Sequence, residues 1–140
     1  MESSTRPHRT KREAFLMEMD GLIPWEACVR LMEPHWPGGA RRTEQMLRMF
    51  LLQIWFHLPD DDIEDEICDS RAMMAFMKLD RAAGDWVPDA ASLCEFRRMI
   101  TVNGLQEKLF AIAQRPLEQA GKRVSGGTVA NATLVENPHS

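Results

Sequence analysis

Between Asp60 and Glu66 every residue except Ile63 is a carboxylate, in the segment DDDIEDE. Clustered carboxylates can ligate divalent cations, and such a surface can also mimic the charge of DNA. The run lacks the glycine at the sharp turn and the spaced final glutamate of an EF-hand calcium loop. Because the helix dipole favours carboxylates in a first turn, the sequence indicates a helix start here rather than a metal site.

Cysteine and histidine are the other residue types that could ligate a metal. Cys28, Cys68 and Cys94 are widely spaced, and neither they nor His35 and His57 stand at zinc-ligand spacing. An odd number of cysteines without a CxxC pair does not support a disulfide framework. We therefore predict reduced, buried thiols, no metal ligands and no cofactor bound by this chain.

No GxxxxGK[ST], GxSxG or HExxH motif is present, so phosphate-loop hydrolysis, serine hydrolysis and zinc proteolysis lack support. Basic residues remain, both near the amino terminus and on a helix that should begin after Asp89. Helix-turn-helix modules use a capped short helix to reach base edges, while Lys and Arg hold phosphates. A solvated helix face is the alternative interpretation. The candidate DNA contacts are Arg97, Arg98, Ser92, Arg9, Lys11 and Arg12.

Length and charge limit the classes of protein. With 140 residues, 44% of them apolar, the chain can bury one ordinary core. A formal net charge of −4 argues against a polybasic coat, so any DNA contact must be local. The longest apolar run, from Met46 to Leu58, is interrupted by Arg48 and Gln53 and is too short to span a bilayer. We expect a cytoplasmic protein without a membrane partner.

Apolar periodicity predicts a mainly α fold, a bundle of about five to seven short helices with helix-turn-helix-like character. Residues 1–12 are predicted to be a flexible basic arm, and residues 13–123 the helical domain. The central helix should begin at an N-cap Thr43 and end near His57. Ser70 and Asp89 should cap two further helices, and Pro116 should kink or interrupt the last one. Residues 35–42 and 78–88 are predicted to be loops.

The last segment changes its hydrophobic period from helical to alternating. After Gly126 and Gly127, residues Thr128 to Val135 are predicted to form a β-strand. No other segment predicts a pairing partner, so the strand should pair with another chain, with residues outside this sequence, or with water. Residues 124–140 would then be the first strand of a truncated domain.

Several blocks, in collinear order from about residue 10 to about residue 135, resemble the N-terminal region of bacterial insertion-sequence transposases of the IS-five type. These blocks are FLMEMDGLIPWEACVRLMEPHWP, GGARRTEQMLRMFLLQIWFHLPDDDIEDEICDS, VPDAASLCEFRRMI, LQEKLF and GGTVANATLV. The resemblance implies a helical domain that binds the terminal inverted repeats of the element, as double-stranded DNA. It also implies a following RNase H-like domain in which three carboxylates hold Mg²⁺.

The resemblance places an asparagine where the first catalytic carboxylate is expected. The family motif resembles GTxVDAT, and this sequence has GTVANAT, with Asn131 at the aspartate position. An amide has no charge and offers one weakly coordinating oxygen. The chain also stops at Ser140, before the second and third carboxylates. We therefore expect a truncated transposase that is catalytically inactive alone. Asn131→Asp is not expected to restore its activity.

A second departure from the family concerns the helix after Asp89. The family start resembles VPDxTT, whereas this chain has Ala90 and Ala91, which lack hydroxyls for phosphate or base contacts. Two other functions stay open. The chain could be a protein-interaction module that pairs with a full-length transposase, or with itself, and inhibits it, either through the unpaired strand or through apolar helices that form mixed dimers. It could also be an inert remnant.

Overall fold

A computed structural model describes residues 8–119 and two short strands beyond them. Its architecture is mainly α, as predicted, and the described part contains seven α-helices. Two 3-10 turns, Glu33–His35 and Arg81–Ala83, lie in connections between them. The helices are α1 (Lys11–Leu22), α2 (Trp25–Met32), α3 (Gly39–Phe56), α4 (Ile63–Asp69), α5 (Arg71–Met77), α6 (Ala90–Val102) and α7 (Gln106–Gln119).

Helix α3 is the centre of the bundle. Every residue from Gln45 to Leu52 is buried, which is the pattern of a helix surrounded by other helices. Edge-to-face ring pairs join it to its neighbours: Trp55 contacts Phe15 of α1 at 5.4 Å and Phe76 of α5 at 5.6 Å, between ring centroids. Phe50 contacts Phe96 of α6 at 6.1 Å. The predicted central helix is therefore confirmed, and these contacts orient α1, α5 and α6 around it.

Arg48, near the middle of α3, is a buried charge with 3% of its surface exposed. Its guanidinium pairs with Asp20 of α1 at 2.8 Å and with Glu44 at 2.8 Å, and it donates a hydrogen bond to the Phe76 carbonyl at 2.8 Å. It also lies 4.0 Å from the Trp25 ring centroid. Burial opposes ionisation of Asp20, but Arg48 and Lys78 outweigh it and lower the pKa of that carboxyl. Arg48 thus connects α1, α2, α3 and α5.

Helix starts follow the capping rules at two predicted positions and differ at a third. The Ser70 and Asp89 side chains accept from the backbone N–H groups of Met73 at 3.1 Å and Ser92 at 2.8 Å, as predicted. Thr43, predicted as the N-cap of α3, lies inside that helix. The helix begins earlier because Gly38 takes a φ of 102° that side chains disfavour. The predicted loop 35–42 is correspondingly shorter.

The predicted boundaries at both ends of the bundle need correction. Lys11 and Arg12, predicted to belong to a flexible arm, form the first turn of α1, because Thr10 caps it by accepting from the Glu13 N–H at 3.1 Å. Helix α7 continues through Pro116 to Gln119, so that proline does not interrupt it. The buried Leu117 keeps this last turn packed on the core. Residues 1–7 of the predicted arm lie outside the described residues.

The predicted lone strand has a partner within the chain. β2 (Thr128–Ala130) pairs with β1 (Arg123–Ser125) in an antiparallel hairpin, with Val124 opposite Val129. The prediction that no segment of this sequence pairs with it was wrong. A two-residue Gly-Gly connection between short strands is a hairpin signal, and it could have indicated this pairing. The remainder of the predicted strand, including position 131, lies outside the described residues.

Candidate nucleic-acid interface

The side chain of Arg97, one of the predicted DNA contacts, binds another part of the chain. Its NH1 and NH2 atoms pair with the two carboxylate oxygens of Asp60 at 2.8 and 2.9 Å, and NH1 also donates to Gln53 Oε1 at 2.9 Å. These hydrogen bonds, with that of Gln53 to Asp60, hold the pKa of the Asp60 carboxyl below its usual value. Arg97 therefore ties α6 to the connection between α3 and α4.

Arg98 and Ser92 have different surroundings on the same helix. Arg98 is exposed, and within residues 8–119 it makes no ion pair. Ser92 is half-buried in the first turn, where its backbone N–H is held by the Asp89 carboxylate. That hydrogen bond lowers the pKa of the Asp89 carboxyl. Arg98 is thus available to an outside partner, and Ser92 lies at the start of α6.

The other three candidate contacts lie near the carboxyl end of α3. Arg9, Lys11 and Arg12 are exposed around the start of α1, and the Arg12 guanidinium lies 5.0 Å from the ring centroid of Phe56, the last residue of α3. Ser92, by contrast, shares a cleft with Arg42, near the first turn of α3. At a rise of 1.5 Å per residue these ends are roughly 20 Å apart. The six predicted contacts therefore do not form one patch.

A cleft of about 510 Å³ lies where α3 and α6 begin. We call it the α3/α6 cleft. Its lining comes from the loop before α3, from the first turns of α3 and from the segment that leads into α6. The lining residues include Trp36, Gly38, Arg42, Gln45, Asp85, Trp86, Asp89 and Ser92.

Asp85 holds the segment before α6 against α3. Only 4% of its surface is exposed, and its carboxylate accepts from the Asp80 backbone N–H at 2.8 Å and from Gln45 Nε2 at 2.9 Å. It also forms an ion pair with Arg41. The hydrogen bond from the Asp80 N–H is the main cause that lowers the pKa of the Asp85 carboxyl. Burial raises this pKa, but Arg41 and Gln45 lower it further, and the net shift is downward. The carboxylate is thus neutralised within the protein.

The start of α3 is the part of the cleft that favours an anion. Helix N-termini carry a partial positive charge and unpaired N–H donors. Asp89 caps α6, but the N-cap of α3 is Gly38, which offers no side-chain acceptor to the first N–H groups of that helix. Arg42 is exposed beside this turn. Anions such as phosphate are favoured at this kind of helix start.

Trp86 is the most unusual residue of the cleft, with 72% of its surface exposed. The Arg81 guanidinium lies 5.5 Å from its ring centroid, and the adjacent Asp85 fixes the backbone before it. An aromatic face this exposed at the rim of a cleft can stack on a ligand. Trp86, Arg42 and Arg81 are not among the contacts predicted from the sequence. A tryptophan between Gly84 and Pro88, directly before a capped helix, was the available signal.

The connections on either side of α6 bear on the predicted helix-turn-helix character. Residues 78–89 separate α5 from α6, which is longer than the three or four residues of that motif. Asn103, Gly104 and Leu105 separate α6 from α7, and Gly104 has a φ of 63°. This second turn has the motif's length and its usual glycine. The pair α6 and α7, rather than α5 and α6, therefore matches that connection.

Metal-binding and thiol predictions can also be compared with the structure. Among the described residues, no three His, Cys, Asp or Glu side chains are grouped so that they could hold a metal ion. The three cysteines are free, and Cys28 is buried, which raises the pKa of its thiol to about 12. Cys68 and Cys94 are exposed, so the prediction of buried thiols was wrong for them. They lie on solvent-facing sides of α4 and α6, a placement that residue type alone does not decide.

Comparison with known families decides the relationship. A family model described as a transposase domain (DUF772) matches residues 4–99. The chain belongs to this transposase domain family. The matched region contains the α3/α6 cleft, the basic residues of α1 and both arginines of α6, and it ends before α7.

Membership in this family relates the function of the chain to transposition. No solved structure matches this transposase domain. Across the described residues, none of the helices is long and apolar enough to cross a bilayer.

Proposed function

We propose that this transposase domain is the N-terminal DNA-binding region of an insertion-sequence transposase of the IS-five type, and that it binds the terminal inverted repeats as double-stranded DNA. Family membership supports a role in transposition. The resemblance of the sequence blocks described above supports the IS-five type and the DNA ends. DNA as the partner would place the chain in the cytoplasm.

The observation that carries the proposal is the meeting of two helix starts with the exposed Arg42 at the α3/α6 cleft. The uncapped start of α3 and the Arg42 guanidinium both favour a phosphate oxygen. Arg81 lies nearby on the Trp86 ring. Since the net charge is −4, phosphate contacts must be concentrated at such local sites.

The six contacts predicted from the sequence enter the proposal with different roles. Arg98 and Ser92 extend the phosphate-binding surface along α6, and the basic start of α1 would contact a more distant part of the duplex. Arg97 supports this surface through its bonds with Asp60. The basic residues at the start of α1 are Arg9, Lys11 and Arg12.

We further propose that the chain alone does not cleave DNA. Relatives of this type are expected to use Mg²⁺ held by three carboxylates. The residues that the structure describes contain no such group, and the position that the resemblance assigns to the first carboxylate is Asn131. The residues present therefore do not fit that metal, and we assign no cofactor to them.

Fluorescence anisotropy at two salt concentrations tests the proposal. The terminal repeat of a related element is compared with a scrambled duplex of equal length. We expect tighter binding of the terminal repeat, and Arg42→Ala should weaken binding of both duplexes and reduce the salt slope by about 0.9. Arg115→Ala, at an exposed position of α7 that does not line the cleft, is the matched control. Equal loss in both variants would remove the cleft from the proposal, and no binding at low salt would refute it.

Inhibition of a full-length transposase by mixed pairing is the alternative function, and an inert remnant is another. One of the two routes for pairing was an unpartnered strand, and Thr128–Ala130 is already paired with Arg123–Ser125. The other route, mixed dimers through apolar helices, stays a prediction. Pairing through the outer edge of the hairpin would still be compatible with this topology. Co-purification with a full-length relative tests mixed pairing, and the absence of a cooperative thermal transition would indicate a remnant.

A further inference from the structure

We propose that the α3/α6 cleft takes a single unpaired nucleotide of DNA, with its base against Trp86 and its exocyclic amino group donating to Gln45 Oε1. This inference rests on the proposed DNA-binding function and names the part of the DNA that the cleft would hold. Three independent features of the cleft support it: an exposed aromatic face, a fixed hydrogen-bond acceptor and an adjacent cation.

The aromatic face is preformed. Trp86 is 72% exposed, and the segment before it is held in place by the buried Asp85. Arg81 covers one part of the ring at 5.5 Å from its centroid. Stacking on an aromatic side chain is the usual way in which proteins hold an unpaired base, and an arginine beside the ring adds a cation–π contribution.

The acceptor is Gln45, which is 93% buried and lines the same cleft. A carboxylate only accepts hydrogen bonds, so the bond to Asp85 at 2.9 Å fixes Nε2 toward that residue and Oε1 away from it. Within the described part of the chain, Oε1 accepts no hydrogen bond. An amide oxygen with no partner in the described part of the protein can accept a hydrogen bond from a ligand.

The exocyclic amino groups of adenine, cytosine and guanine are such donors, whereas thymine has none. Gln45 cannot form the bidentate pattern that glutamine makes with adenine, because its Nε2 is already used by Asp85. The cleft should therefore distinguish bases that have an exocyclic amino group from thymine. It should not distinguish sharply among adenine, cytosine and guanine.

Size and charge are consistent with one nucleotide. A volume of about 510 Å³ lies within the range of sites for small ligands. Asp85 is neutralised by Arg41, and the Asp89 carboxylate is turned to the Ser92 N–H. Arg42, at the start of α3, is then the charge that faces the nucleotide phosphate. A base in an intact duplex cannot reach such a cleft without leaving the stack.

The test uses fluorescence anisotropy with the whole chain and a labelled duplex that carries one central unpaired nucleotide. The same duplex without the extra nucleotide is the reference. We expect an unpaired adenine or cytosine to increase affinity over the paired duplex, and an unpaired thymine to increase it less. Replacing the unpaired adenine by purine, which lacks the amino group, should lose about fivefold.

Protein variants test the stacking face. Trp86→Ala should abolish the gain from the unpaired base, a loss of about tenfold, and Trp86→Phe should retain most of it. Val102→Ala is the matched control, because Val102 is also 72% exposed but does not line the cleft. Since Trp86 is mostly exposed, Trp86→Ala should unfold at the temperature of the wild type, which separates loss of binding from loss of fold.

Each alternative outcome would overturn a different element of the proposal. Equal binding of paired and bulged duplexes would overturn the inference while leaving the proposed function intact. Equal binding of adenine and purine would overturn the role of Gln45. Loss of self-association in Trp86→Ala, without any effect on the bulge, would assign the cleft to a protein partner instead. Failure to bind either duplex would refute the proposed function together with the inference.

Discussion

Replacing Arg97 by alanine should affect the stability of the fold, whereas replacing its neighbour Arg98 should affect DNA binding. Arg97 makes a bidentate ion pair with Asp60 and donates a hydrogen bond to Gln53. The side chains of Arg97 and Asp60 are 33% and 43% exposed, so solvent screens the pair in part. We expect Arg97→Ala to lower the free energy of unfolding by about 1.5 kcal/mol, between the values for exposed and buried charged hydrogen bonds.

The measurement is urea and thermal unfolding of the two single variants. For a domain of this size, Arg97→Ala should lower the melting temperature by about 5 °C. Arg98→Ala should change stability by less than about 0.5 kcal/mol but reduce the salt slope of DNA binding. A double-mutant cycle with Asp60→Asn should give a coupling of about 1 kcal/mol. If Arg97→Ala leaves stability unchanged and instead weakens DNA binding as Arg98→Ala does, our assignment of Arg97 is wrong.

The same ion pair predicts a dependence of stability on pH. The hydrogen bonds from Arg97 lower the pKa of the Asp60 carboxyl in the folded chain. The pair therefore makes its full contribution to stability when the pH is above the pKa of an aspartate in the unfolded chain, about 3.9. This contribution is lost as the pH falls through the lower folded value. Wild type should therefore lose more stability than Asp60→Asn between about pH 5 and pH 2. Parallel curves for the two proteins would contradict the prediction.

Three other predictions concern the core, the start of α3 and the thiols. Arg48→Met should lower the free energy of unfolding by about 3 kcal/mol in urea denaturation, because it leaves carboxylates and a carbonyl without their buried partner; a loss below about 1 kcal/mol would contradict this role. Gly38→Ala should cost about 1 to 2 kcal/mol by thermal unfolding, because its φ is 102° and the added Cβ would lie 2.9 Å from the Arg42 side chain. The exposed Cys68 and Cys94 should react with a thiol reagent at pH 8, whereas Cys28 should react only after unfolding. Rapid reaction of all three thiols in the folded protein would contradict the burial of Cys28.

Features that depend on local chemistry could be predicted from the sequence. Asp89 and Ser70 cap helices because a short polar side chain satisfies nearby backbone N–H groups, whatever the rest of the fold does. The mainly α architecture and the central helix could be predicted from apolar periodicity, which is also a local property of the sequence. The start of α3 was less predictable, since both Thr43 and the Gly38–Gly39 pair carry helix-start chemistry. The glycine backbone conformation decided between them.

Features that depend on contacts between distant residues were decided by the tertiary structure. Arg97 and Asp60 are 37 positions apart, and Gln45 and Asp85 are 40 positions apart. In the sequence, Arg97 and Arg98 are equivalent basic neighbours, and only the packing of α6 on α3 gives one of them a carboxylate partner. The α3/α6 cleft exists for the same reason, because packing brings two helix starts and Trp86 together. Local patterns determined the helices of this transposase domain, and long-range packing determined which of its side chains remain available to a partner.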